Sequence, residues 1–136
     1  MVFLDSAFLI ALLHVGDEYR HDALAWMDIL EGANIPLLTT EFCLIELVDF
    51  LSDCGQRALA RQLVTTLRAG KFITIIPCSS TLLNRGLILH SQRDDKTWSL
   101  TDCIGMLVME DAGIREVMTY DHDFEQAGLK CVPLLA

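Results

Sequence analysis

The sequence predicts an α/β fold in three layers, a central and mostly parallel sheet of four to five strands flanked by helices. Two observations carry this. Short apolar or β-branched runs alternate with longer segments of helical period along the whole chain, and strands joined through helices pair in parallel with both faces covered. The chain also has 136 residues, 52% of them hydrophobic, with only 8 Gly and 3 Pro. That is enough for one domain, 1–136, with a core of its own.

Taken in order, VFLD (2–5) reads as a short apolar strand and SAFLIALLH (6–14) as a helix. The segment 18–33 places apolar residues at 23, 26, 27 and 30 and then Gly32, the pattern of a helix with a C-terminal stop. A strand at 35–40 enters a helix running through EFCLIELVDFLSD, capped by Thr39 or Thr40, since a hydroxyl there can accept from the free amides of the first turn. Gly55 breaks that helix, and 56–70 forms the next, ending at Gly70. FITIIP (72–77) is a β-branched strand stopped by proline. Helices follow at 79–95 and 99–113, the second closed by Gly113, then a strand at 115–120 and a closing segment at 130–135. No internal repeat, low-complexity tract or linker interrupts this order.

Several function classes are disfavoured at once. No apolar run approaches the roughly 20 residues of a membrane span. The apolar N-terminal stretch lacks a basic leader and is interrupted by Asp5, so a secretory signal is not expected. Five cysteines, at 43, 54, 78, 103 and 131, are odd in number and form no C-x-x-C pair, which points to reduced thiols in a cytoplasmic protein and away from zinc. The formal net charge of -9 is uneven: 55–96 carries seven bases against two acids, or +5, which leaves -14 on the remainder. So acidic a chain is a poor non-specific partner for nucleic acid, which is held by phosphate neutralisation. A basic face flanking an acidic site remains compatible with a phosphate-bearing substrate.

The acids are where the chemistry is expected. In a parallel sheet, ligands bind beyond the carboxyl ends of the strands. Asp5 ends the first strand and Asp121 follows the strand at 115–120, so both belong to that rim. Glu46 projects from a helix face shared with Phe42, Cys43, Asp49 and Phe50, and Asp102 lies in a first turn among Trp98, Ser99, Gly105 and Met106. Each has an ordinary reading. Asp5 can cap a helix, Ser99 with Asp102 matches a capping box, Asp121 and Asp123 suit a turn, and Glu46 can reach the helix edge beside Asp49. Glu41, Asp49, Glu110 and Asp111 read as solvated helix charges. Four such acids meeting in one crevice is a different matter, because two charges about 4 Å apart repel by roughly 4 kcal/mol at an effective dielectric of about 20. Raised pKa values or a hard divalent cation would relieve this, and oxygen-only ligands select magnesium or manganese. Such an ion acidifies water and shields a phosphate oxygen, the chemistry of phosphodiester cleavage.

The stretches DSAFLIALL, TTEFCLIELVDFL, DDKTWSLTDCIGMLVMEDAGI and EVMTYDHDFEQAGLKCVPLL together resemble the PIN domain family, and within it the VapC-type ribonuclease toxins. The most specific part is WSLTDC, followed by an apolar helix and T-x-D-x-D-F-x-x-A-G, and the likeness covers essentially the whole chain. It implies a metal-dependent endoribonuclease, the toxin of a toxin-antitoxin pair, with Mg²⁺ or Mn²⁺ held by Asp5, Glu46, Asp102 and Asp121. It further implies supporting hydroxyls at Ser6 and Thr101, Thr119 orienting the Asp121 loop, and Asp123 as an outer contributor. An RNA substrate, a homodimer and a small antitoxin partner follow from the same likeness. One departure is Ala7, where many relatives carry a polar residue. Arg57, Arg61, Arg68, Lys71, Arg85 and Lys96 are candidates for guiding phosphates. Two alternatives stand beside this reading. One is a non-catalytic regulatory module with the same pocket; the other is a Toprim-like phosphotransfer enzyme using Asp121 and Asp123, which leaves Glu46 and Asp102 without a role.

Overall fold

A computed structural model describes residues 1–132; the end of the predicted closing segment, 133–135, lies outside the described residues. In chain order the elements are β1 (Val2–Leu4), α1 (Ser6–Leu13), α2 (Arg20–Gly32), β2 (Leu37–Thr40), α3 (Glu41–Asp53) and α4 (Arg57–Ala69), then β3 (Ile73–Ile76), α5 (Ser80–Gln92), α6 (Leu100–Ala112), β4 (Glu116–Met118), α7 (Asp123–Gln126) and β5 (Lys130–Val132). The strands form one sheet in the order β3-β2-β1-β4-β5, and every pairing is parallel. Among the described residues the expected sheet of four to five mostly parallel strands is therefore five strands, all parallel.

Alternation along the central strand builds the three layers. Phe3 points to one side, where with Leu38, Val117 and Cys131 it meets Leu82 of α5, Cys103, Ile104 and Met109 of α6, and Phe124 of α7. Leu4 points to the other, where with Leu37 and Met118 it meets Phe8 and Leu9 of α1, Ala23 and Leu30 of α2, Leu47 and Leu51 of α3, and Ala60 and Leu67 of α4. Phe3, Leu4, Phe8 and Phe124 are fully buried. Burying side chains of this size is worth about 1.5–3 kcal/mol each, so the two apolar faces of β1 anchor both halves of the core.

Several boundaries differ from the sequence reading, each for a local reason. β2 begins at Leu37 because Pro36 has no amide to give; its carbonyl accepts from Val2 N at 3.0 Å instead. Thr40, not Thr39, caps α3, its Oγ1 accepting from Cys43 N at 3.1 Å, while the buried Thr39 hydroxyl donates to the Leu4 carbonyl at 2.8 Å. α2 starts at Arg20 and runs through Gly32; the residue in left-handed conformation beyond it is Asn34, at φ 53°. α5 stops at Gln92, short of 95, where Arg93 turns to pair with Asp95 at 3.0 Å and stacks over Trp98 at 4.9 Å. Asp123, which suits a turn, instead opens the single-turn helix α7. Among the described residues no helix is long and apolar enough to cross a membrane.

Candidate active site

With all strands parallel, the residues that follow them collect at one rim. Asp5 follows β1, Thr40 ends β2 and leads into α3, and Thr119 to Asp121 follow β4. A cavity of about 470 Å³ opens there, and Asp5, Glu46, Asp49, Asp102, Asp121 and Asp123 all contribute to its wall, with Ser6, Ala7, Ile10, Phe50, Thr97 and Ser99 between them. No lysine or arginine is among those wall residues.

Asp5 occupies the N-cap position of α1, yet its carboxylate makes no capping bond. One oxygen, Oδ2, accepts from Thr119 Oγ1 at 2.8 Å; the other, Oδ1, is buried with no partner. Thr119 is itself fully buried and also accepts from Asp121 N at 3.0 Å, so a single hydroxyl ties the first strand to the last acid-bearing loop. Burial raises the Asp5 carboxyl to about 6, against the hydrogen bonds of Thr119 and the Ser6 backbone, with the charges of Glu46 and Asp121 pushing the same way as burial.

Asp102 fulfils its capping role and still reaches the cavity. Its Oδ2 accepts from Ser99 N at 3.1 Å while Ser99 Oγ accepts from Asp102 N at 3.0 Å, a complete capping box. Burial, then the nearby Asp5 charge, raises its carboxyl to about 7. One carboxylate oxygen from each of Asp102, Asp121 and Asp123 lies within 4.8 Å of the other two. Asp123 is also raised, by burial and then by Asp121. Asp121 shapes its own loop, its Oδ1 accepting from Asp123 N at 3.0 Å. From the opposite wall, the half-buried Glu46 accepts a short hydrogen bond from Ser6 Oγ, 2.6 Å long.

Seven of the eight residues singled out in the sequence thus meet in one place: Asp5, Glu46, Asp102, Asp121 and Asp123 in the wall, joined by Ser6 and by Thr119 beneath Asp5. Thr101 is not in the cavity wall. The wall also takes in residues to which the sequence assigns no role in the site, among them Asp49 and Phe50. Both lie on the α3 face of Glu46, at i+3 and i+4, as their spacing predicts, and Asp49 borders the cavity instead of being a plain solvated helix charge. Cys43, beneath the site, is pushed up to about 12 by burial and the Asp5 charge, so it is an inert packing thiol. All five cysteines are free.

The donor set fits a hard divalent cation. It offers carboxylate oxygens only, three of them mutually close, and one buried oxygen that lacks any partner among the described residues.

Comparison with known proteins gives the same outline. A family model described as the PIN domain matches residues 2–130. Among solved structures, the chain is similar to Mycobacterium tuberculosis VapC20, described as a sarcin-ricin loop cleaving toxin, with a TM-score of 0.82 and 22% identity over 95% of this chain and 96% of that one. It is also similar to FitAcB from Neisseria gonorrhoeae, with a TM-score of 0.67 and 16% identity over 96% of each chain. No curated protein sequence matches it.

Proposed function

Because the chain belongs to the PIN domain family, we propose that it is an Mg²⁺- or Mn²⁺-dependent endoribonuclease of the cytoplasm and the toxin of a toxin-antitoxin pair. The observation that carries the reading is the acid-lined cavity in which a buried Asp5 oxygen has no partner and three further carboxylates crowd together. Asp5, Asp102 and Asp121 would hold the cation, with Glu46 completing the set and Asp123 contributing from outside. When bound, the ion would acidify a water and shield a phosphate oxygen. The chain's own residues do the positioning. Thr119 locks Asp5 so that Oδ1 faces away from its hydrogen bond, and the Ser6 hydroxyl fixes Glu46 Oε1, leaving Oε2 to orient the attacking water. Ser99 fixes Asp102 in the same way.

Partners belong to the same proposal. Leu83, Leu87 and Ile88 are exposed on α5, a surface that a homodimer would cover. Leu44, Ile45, Val48 and Val64 line a second cavity of about 310 Å³ against α3 and α4, where a small antitoxin would seat apolar side chains.

The test is cleavage of labelled RNA, with and without Mg²⁺ or Mn²⁺, by wild type and Asp102→Asn. The description of VapC20 makes a ribosomal stem-loop of the sarcin-ricin type a rational first substrate, beside an unstructured strand. Asparagine can still accept from Ser99 N, so the variant is expected to fold and to lose at least a hundredfold in rate. A fully active Asp102→Asn protein overturns the proposal. Metal binding by calorimetry without cleavage of any RNA would instead favour the non-catalytic module.

A further inference from the structure

The cavity wall contains one aromatic residue, Phe50, and it is 39% exposed in a site otherwise dominated by carboxylates. It lies one helical turn beyond Glu46 on α3, and i, i+4 neighbours on a helix are about 6 Å apart. Its ring is held in place: His14 meets it edge to face with centroids 5.4 Å apart and planes at 81°, and His14 Nδ1 is itself 3.4 Å from Gln56 Oε1. The neighbouring Asp49 makes no hydrogen bond or ion pair among the described residues and repels phosphate from this part of the wall. A nucleobase is uncharged and presents a flat face that any aromatic ring can stack on.

We propose that Phe50 is the stacking platform for an unpaired nucleobase next to the phosphate that is cut. The inference rests on the ribonuclease reading and deepens it by assigning where the substrate strand is held. Tyr120, in the loop after β4, is by contrast already engaged. Tyr19 and Tyr120 stack on each other at 4.3 Å and 6°, and the Tyr120 hydroxyl donates to Asp22 at 2.6 Å.

The experiment is steady-state cleavage of one labelled single-stranded RNA by wild type, Phe50→Leu and Phe50→Trp, each also assayed on the same RNA lacking the base on one side or the other of the cut. Loss of a base stack predicts a KM rise of about tenfold in Phe50→Leu with kcat little changed, restored by Phe50→Trp. The abasic RNA should impose a similar penalty on wild type and little further penalty on Phe50→Leu. Melting temperatures of the three proteins identify any variant that has lost its fold, and Phe50→Trp then carries the comparison. A Phe50→Leu protein with wild-type KM, or equal abasic penalties in both proteins, overturns the platform and leaves the ribonuclease reading intact. A wild type that cuts no RNA overturns both.

Discussion

Asp5 places an ionisable group where an uncharged one would be easier to hold. Its carboxyl is 2% exposed, and burial lifts its pKa from 3.8 to about 6. The sign follows from which state holds the proton. Between about pH 4 and 6 the folded protein retains a proton that the unfolded chain has released, so stability is greatest at the acid end of that window and falls as pH rises through it. Asp102, raised to about 7, extends the window upward. At about 1.4 kcal/mol per pKa unit, Asp5 alone would cost on the order of 3 kcal/mol above neutrality in metal-free protein. Chemical denaturation in EDTA at pH 4.5, 6 and 8 is expected to show this decline, and a flat profile would argue against buried, unpaired acids. By the same reasoning Asp5→Asn, which can still accept from Thr119, should be more stable than wild type at pH 8 in EDTA by about 1–3 kcal/mol while losing RNA cleavage. A destabilised Asn variant would show that the charge is compensated within the protein. In the sequence, Asp5, Glu46, Asp102 and Asp121 stood out because strand ends and apolar helix faces are poor places for solvated charge. Asp49 did not, since an acid at i+3 from another acid on a helix looks identical whether it borders a cavity or bulk water.

At the level of elements, the contact between α5 and α6 depends on one missing side chain. A Cβ on Gly86 would come within 2.5 Å of Ile104 Cγ1 and 3.2 Å of Leu100 Cδ1. Alanine is the better helix former by about 1 kcal/mol, but overpacking typically costs about 1–3 kcal/mol. Gly86→Ala is therefore expected to lower the melting temperature by a few degrees, and an unchanged or raised value would mean that the two helices separate at little cost. The helices and strands were largely legible because their period survives in the sequence, including the continuous apolar runs of a sheet buried on both faces. What escaped were features decided by single hydrogen bonds. Thr39 and Thr40 are the same residue type one position apart, and only the bond to Leu4 across the sheet and the bond to Cys43 along the chain distinguish them. The single-turn α7 was hidden because the Asx turn of Asp121 that precedes it has the composition of a plain loop.

Across the whole molecule, the acids of the site are part of a wider imbalance, a formal net charge of -9. Salt of any kind should relieve the general repulsion, whereas a divalent ion held as proposed by Asp5, Asp102 and Asp121 would add a binding contribution, about 2.7 kcal/mol when its concentration is a hundred times Kd. Thermal melts in MgCl₂ and in NaCl of equal ionic strength separate the two. Wild type is expected to gain more from magnesium, and Asp102→Asn to respond equally to both salts; equal responses from wild type would locate the effect at the surface instead. The sheet order places another condition on the site. Asp5 is secured by Thr119, a partner 114 residues away, and β1 lies between β2 and β4. Asp5 and Glu46 therefore precede, by most of the chain, the strand and loop that complete the site, while Asp102 lies just ahead of them. A chain cut short before β4 lacks Thr119, Asp121 and Asp123, so the acid-lined cavity closes only in a polypeptide that has reached its last strands.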